Sequence, residues 1–183
     1  LQALTASLLA CGASITEINC LRRRLDRVKG GGLARAAAPA HVVSLILSDV
    51  IGSPLEAIAS GPTVPDPTSR ADALAILAKY GLTSSAPAVV LSALREGAES
   101  DQQDVWKSGS VLNRVIGDNA QATAAALNQA ARLGYNARNL GSAWQGEARQ
   151  VGMELSALLK RADLPRPFCL VAGGETTVTL RGA

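Results

Sequence analysis

Aromatic side chains are scarce in this sequence: two Trp, two Tyr and one Phe among 183 residues. So few rings leave little on which bases could stack, which argues against a nucleic-acid-binding platform. Histidine is scarcer still, with His41 alone. That excludes a His-rich metal site and leaves one residue for any Cys–His nucleophile pair. The three cysteines, Cys11, Cys20 and Cys169, are odd in number and free of CxxC spacing. They read as small buried hydrophobes in a reducing compartment. No apolar run approaches the roughly 20 residues that cross a bilayer, and residues 1–13 hold no basic leader. A cytoplasmic protein with no membrane partner is expected. Net charge is only +3, so its placement matters more than its size.

What is present suffices for one good core, since 48% of the residues are hydrophobic. The sequence opens at Leu1 with no Met, in a stretch that reads as helical, and stops at Arg181-Gly182-Ala183, so a piece of a longer protein is expected. Helical periodicity runs over 5–12 and 15–28, with Ser14 or Thr16 as caps and Glu17 in the first turn. Gly30-Gly31-Gly32 is expected to stop the second helix, and 33–38 to add a turn or two before Pro39. That helix concentrates Arg22, Arg23, Arg24, Arg27 and Lys29. Arg22 and Lys29, seven apart, are expected to share a face. Cations near a helix C-terminus favour its dipole and solvate its surface, which accounts for Arg23 and Arg27. Lys29 beside three glycines instead puts a cation next to backbone that can approach an anion closely. The order excludes a dinucleotide fingerprint, which needs a strand first, and a Walker A loop, whose Lys follows its glycines.

The apolar run 42–47 reads as a buried strand that delivers Ser48 and Asp49 to its C-terminal edge, where open α/β sheets bind ligands. Gly61, Pro62, Pro65 and Pro67 make a stiff loop presenting Ser60, Thr63 and Asp66. Helices are expected at 70–80, with Leu74, Leu77 and Ala78 on the core face, and at 86–97. Residues 98–109 read as a polar loop docked by Trp106. Then follow a strand at 111–116, a turn at Gly117-Asp118-Asn119 and a helix at 120–133 capped by Asp118 or Asn119. The same N-terminus could receive a phosphate. A strand at 135–140, a helix at 145–161 capped by Ser142, and strands at 168–172 and 176–181 complete the alternation. The class is α/β, a three-layer αβα arrangement on a mostly parallel sheet. The division expected is 1–105, carrying the helical start, basic helix, first strand and proline loop, and 106–183, carrying the second βα set. One continuous domain over 1–183 is the alternative.

Several blocks together resemble one family. They are Glu17-Ile18-Asn19 with Arg22, Lys29-Gly30-Gly31 with Leu33-Ala34, Leu45 through Val50, and Ile58-Ala59-Ser60-Gly61-Pro62-Thr63-Val64. They resume at Asn113, Ile116-Gly117-Asp118-Asn119, Gly146-Glu147-Ala148 and Gly173-Gly174-Glu175-Thr176-Thr177-Val178. In this order they are similar to the glycerate 2-kinase family, some of whose members carry the label hydroxypyruvate reductase. The resemblance implies a two-domain α/β enzyme that moves the γ-phosphoryl of ATP, with Mg²⁺, onto the 2-hydroxyl of D-glycerate. A homodimer is one assembly open to it.

Phosphoryl transfer is mostly positioning and charge neutralisation, and glycerate adds a carboxylate. The resemblance therefore puts Arg22 and Lys29 against the substrate carboxylate or the transferring phosphoryl, and Asp49 on Mg²⁺ or the 2-hydroxyl. Asn19, Gly30, Gly31, Ser48, Ser60, Gly61 and Thr63 would contact substrate or phosphate. Asp118, Asn119, Gly173, Gly174, Glu175 and Thr176 would serve the nucleotide, Glu175 being a second candidate for the metal, and Asp66 is a further acidic candidate. Cys20 stands where the family has a small polar residue. The family's blocks before Leu1 and after Gly182 are not in this sequence, so the chain alone is expected to bind one ligand rather than catalyse. Two rivals are a nicotinamide-dependent hydroxypyruvate reductase and a non-catalytic anion-binding module using Arg22–Lys29. The first would need a glycine fingerprint, and Gly117-Asp118-Asn119 offers one glycine.

Overall fold

The structure, a computed structural model, describes residues 1–96 and 109–179. In chain order it forms α1 (Gln2–Ala10), α2 (Ile15–Leu25), α3 (Gly32–Ala37), β1 (Val42–Leu47), a 3₁₀ turn (Ile58–Ser60), α4 (Arg70–Lys79) and α5 (Ala88–Glu96). Then come β2 (Val111–Gly117), α6 (Asn119–Arg132), β3 (Asn136–Asn139), α7 (Ala148–Lys160) and β4 (Phe168–Val171). The fold is α/β with parallel pairing, as the alternation of patterns implied. Two compact units are present: Leu1–Leu45 with Leu55–Arg114, and Ile46–Pro54 with Val115–Ala183.

In the first unit the helices start where side chains satisfy orphan N–H groups. Ser14 accepts from the Glu17 N–H while Glu17 accepts from the Ser14 N–H at 2.8 Å, a complete capping box on α2. Ser69 and Asp72 repeat the device on α4. Ile18 and Leu21 on α2, Leu77 on α4 and Leu94 on α5 lie almost wholly out of solvent, with Ala73 letting backbones approach. Each buried Leu or Ile contributes about 1.5–3 kcal/mol of apolar transfer. Glu17 also reaches across to α4, accepting from Lys79 Nζ at 2.6 Å and from the Tyr80 hydroxyl at 2.9 Å.

The second helix ends earlier than its periodicity suggests. Asp26 leaves helical geometry at φ −109°, ψ 136°, and its carboxylate accepts from the Val28 and Lys29 N–H groups at 2.8 and 3.3 Å. A local Asx turn competes with helical bonding and wins. The glycines therefore do not stop α2; Gly31 is the N-cap of α3, with Gly32 its first residue. Arg23 is not a solvated surface cation either, being only 7% exposed.

β1 and β2 run parallel: Val42 donates to Ser110 O at 2.8 Å at one end and Ser48 to Gly117 O at 2.9 Å at the other. The expectation of a strand buried on both faces fails for β1. Burial alternates along it, and Val43, Leu45 and Leu47 are exposed, Leu47 by 76%. A run of β-branched and leucine residues looks the same whether one face or both are covered.

In the second unit β3 and β4 pair in parallel, Asn136 opposite Phe168 through Asn139 opposite Val171. Helix α6 packs on both strands. Its N-cap is Asp118, which accepts from the Gln121 N–H at 2.8 Å. Helix α7 starts after Glu147 rather than at a Ser142 cap. Residues 176–179 form no regular strand, Thr177 making one parallel bridge to Glu147. Residues 97–108, with Asp101, Asp104 and Trp106, and residues 180–183 lie outside the described residues. Among the described residues no helix is long and apolar enough to cross a membrane.

Two outcomes are expected. Leu77→Ala should lower unfolding stability by about 3 kcal/mol, read as a shifted denaturant midpoint at constant slope. Glu17 is held down at about 2, chiefly by the Lys79 hydrogen bond and then by Ser14, below its ordinary 4.5. Between those pH values the unfolded chain binds the extra proton, so this contribution is complete above 4.5 and is lost as pH falls toward 2. Stability measured across that window should fall less steeply in Glu17→Gln than in the parent.

Candidate functional site

In the first unit the site is built on a backbone clip. Ala59, Ser60 and Gly61 all have positive φ, +50°, +61° and +63°, an uncommon run in which each non-glycine residue costs about 1–2 kcal/mol. The strained turn aims its carbonyls at the glycine turn. Gly30 donates to Ser60 O at 3.0 Å and Gly31 to Gly61 O at 2.7 Å, while Leu33 and Ala34 both donate to Pro62 O. Gly32 has no alternative at its position, because a Cβ there would lie 1.9 Å from Arg27 O.

Side chains lock the same loop from below. Ser60 donates to Asn19 Oδ1 at 2.9 Å, and Arg22 Nη1 reaches the same oxygen at 3.4 Å. The Thr63 hydroxyl donates to Asn113 Oδ1 and accepts from Ser44 Oγ at 3.1 Å, while Asn113 Nδ2 donates to Thr63 O at 3.2 Å. Asn19, Ser60 and Thr63 are buried. Their polar groups are engaged inside the unit, so these three hold the loop's form. Asp66 is likewise occupied, by Arg23, Arg24 and Thr68. Arg22 and Lys29 do come together, lining with Gln2 and Thr5 a cavity of about 520 Å³. Lys29 lies beyond the end of α2, so the turn brings them together and not a shared helix face.

In the second unit Ser48, Asp49, Gly117, Asp118, Asn119 and Gln121 line a cleft of about 740 Å³. It opens where β1 and β2 end and α6 begins, the edge at which α/β folds bind ligands and a helix N-terminus attracts anions. Ser48 is buried and donates to Val50 O at 3.3 Å, whereas Asp49 is exposed. Asn119 Nδ2 lies 3.5 Å from Asp49 O. Gly173 and Gly174 have a packing reason of their own. A Cβ on Gly173 would meet Thr123 Oγ1 at 2.6 Å, and one on Gly174 would meet Trp144 O at 2.1 Å. Glu175 and Thr176 are exposed and do not line that cleft.

The expected residues thus fall into two groups. Asn19, Arg22, Lys29, Gly30, Gly31, Ser60, Gly61 and Thr63 belong to the first unit; Ser48, Asp49, Asp118, Asn119, Gly173, Gly174, Glu175 and Thr176 to the second. Among the described residues no three His, Cys, Asp or Glu side chains cluster as a ready-made metal site. The pair Asp49 and Asp118 on one cleft fits a cation such as Mg²⁺, which takes one or two carboxylates and fills its shell with water and phosphate. The contacts by which Asn113 holds Thr63, and Arg23 and Arg24 share Asp66, are not announced by the sequence. Asn113 is signalled by its place in the family motifs and by an amide between apolar neighbours of its strand.

Parallel strands whose ends meet a helix N-terminus at a carboxylate-lined cleft define an α/β fold. A family model described as "Domain of unknown function (DUF4147)" matches residues 1–95, and the chain belongs to that family. The chain is 42% identical over 223 residues to the glycerate kinase of Bos taurus, all of it aligned to 42% of that protein. It is 39% identical over 189 residues to the glycerate 2-kinase of Pyrococcus horikoshii, covering 43% of that chain. The crystal structure of glycerate kinase from Thermotoga maritima matches all of this chain and 43% of its own, with a TM-score of 0.81 at 36% identity. The likeness to glycerate 2-kinases read from the motifs holds along the whole sequence. The chain spans about two-fifths of the length of these relatives.

Gly32→Ala should destabilise the first unit by about 2 kcal/mol or more, since backbone and not a flexible side chain must move. Thermal melting should show a clear drop in midpoint; an unchanged midpoint would mean that the Arg27–Gly32 approach is not a real constraint.

Proposed function

We propose that this protein acts in glycerate 2-phosphorylation, moving the γ-phosphoryl of ATP to the 2-hydroxyl of D-glycerate in the cytoplasm. The likeness to glycerate kinases over the whole chain carries this reading. Cations line a cavity of the first unit and carboxylates a cleft of the second, the side-chain chemistry that such a reaction uses. Arg22 and Lys29 would meet the substrate carboxylate or the transferring phosphoryl, countering the negative charge that otherwise repels nucleophile from donor. Asp49, exposed at a strand end, would orient the 2-hydroxyl and draw its proton as transfer proceeds. The α6 N-terminus, with Asp118 and Asn119, would face a phosphate through backbone N–H groups.

Alternatively Asp49 would hold Mg²⁺, with Asp118 beside it on the same cleft; when bound the ion screens phosphate charge. Gly30, Gly31, Ser60, Gly61 and Thr63 would give the substrate loop its shape. Ser48 would fix the strand end that carries Asp49. Gly173, Gly174, Glu175 and Thr176 would border the nucleotide, Glu175 being a second metal candidate.

The test uses the full-length protein with ATP, Mg²⁺ and D-glycerate, and identifies the product. The expected product is 2-phosphoglycerate, formed with one ADP per turnover. Lys29→Ala and Asp49→Ala should each lower kcat/KM by well over about tenfold with an unchanged melting temperature. A folded protein that transfers no phosphoryl group, or two variants at parental activity, would sink the proposal.

A further inference from the structure

A buried charge cluster lies against the glycine turn. Asp66 Oδ1 accepts from Arg23 Nε at 2.8 Å, from the Thr68 N–H at 2.9 Å and from Thr68 Oγ1 at 2.6 Å. Its other oxygen is 3.0 Å from Arg24 Nε, close enough for charge attraction but not aligned as a hydrogen bond. The side chains of Asp66, Arg23 and Arg24 are 2%, 4% and 10% exposed. Arg23 Nη1 also donates to Glu56 O at 3.2 Å. The last turn of α2, the segment before the 3₁₀ turn and the end of the proline loop are thus drawn to one carboxylate. Two guanidinium groups share it, so its removal would strand two cations in a low-dielectric place.

Gly30 rests directly on this cluster. A Cβ there would lie 3.1 Å from Arg23 Cβ and 3.2 Å from Asp66 Cβ, so nothing separates the turn's backbone from the pair. The Gly30 carbonyl is held in turn by Arg35 Nη1 at 3.0 Å. Lys29 is the residue immediately before this seat. We infer that Asp66 is a positioning residue for Lys29: by fixing Arg23 and the proline loop together, it sets where the Lys29 ammonium stands. This rests on the reading that Lys29 acts on the substrate. Misplacing a charge-neutralising group by even an ångström costs rate, because the transition state tolerates little displacement.

The experiment compares Asp66→Asn with the parent in the full-length protein, by amide hydrogen exchange and steady-state kinetics. Exchange at Gly30 and Gly31 should rise at least about tenfold while α6 keeps its protection. The KM for the hydroxy acid should rise and kcat/KM fall by about tenfold, with the KM for ATP unchanged. A merely structural fault would reduce the active fraction and leave both KM values alone. Where Asp66→Asn does not fold, Arg23→Lys decides, since it keeps the charge and loses the two-point attachment to Asp66 and Glu56.

Exchange and kinetics within twofold of the parent overturn the inference, as does a loss of kcat with both KM values and the exchange at Gly30 and Gly31 unaltered. Lys29→Ala separates the two ideas. If it remains active while exchange rises in Asp66→Asn, the reading of Lys29 has failed and the inference falls with it. If it is inactive while Asp66→Asn behaves as the parent, only the role of Asp66 is wrong.

Discussion

The first unit depends on a few main-chain hydrogen bonds between two turns. Lys29–Gly32 runs only into the short α3 and Ala59–Pro62 only out of a 3₁₀ turn, and each supplies what the other lacks. The glycine turn offers N–H groups, and the strained turn offers carbonyls, so the geometry of each is set by the other. Backbone groups left unpaired in such a place would be costly, which is why the match has to be complete. Asn19, Asn113 and Asp66 then brace the pair with side chains from α2, β2 and the loop itself. The helical core of Ile18, Leu21, Leu77 and Leu94 supplies the stability that keeps this bracing in register.

Much of this was legible in the residues. Ser14 with Glu17 signals a helix start, because a hydroxyl and a carboxylate three apart can each satisfy the other's N–H group. Asp118 after a strand reads as an N-cap for the same local reason. These features depend on neighbours in sequence and were read correctly. What resisted reading was non-local. Arg23 looks like a solvated helix charge until Asp66, some forty residues on, is seen between it and Arg24. The end of α2 at Leu25 was decided by the Asp26 side chain, a choice that helical periodicity does not encode.

β1 shows the same limit in another form. Its sequence states that its residues suit a sheet, but not how many of its faces are covered, since that depends on what packs against them. The family's motifs were legible as a set because they stand in order along the chain. Their roles were less so. Ser60 and Thr63 looked like groups offered to a ligand, and the structure has both hydroxyls bonded inward. A hydroxyl in a stiff loop serves equally well as strut or as ligand contact, and only its partners distinguish them.

The left-handed run from Ala59 to Gly61 has a consequence for how freely this loop can drift. A branched Cβ crowds its own backbone at such angles, so Val, Ile and Thr at positions 59 and 60 would be strained. Space adds a second bar at Gly61, where a Cβ would come within 2.7 Å of Val64 and 3.1 Å of Glu56 Cα. The residues that suit these three positions are therefore few, glycine foremost and asparagine or aspartate next. Substitution here is filtered by backbone shape before side-chain chemistry counts.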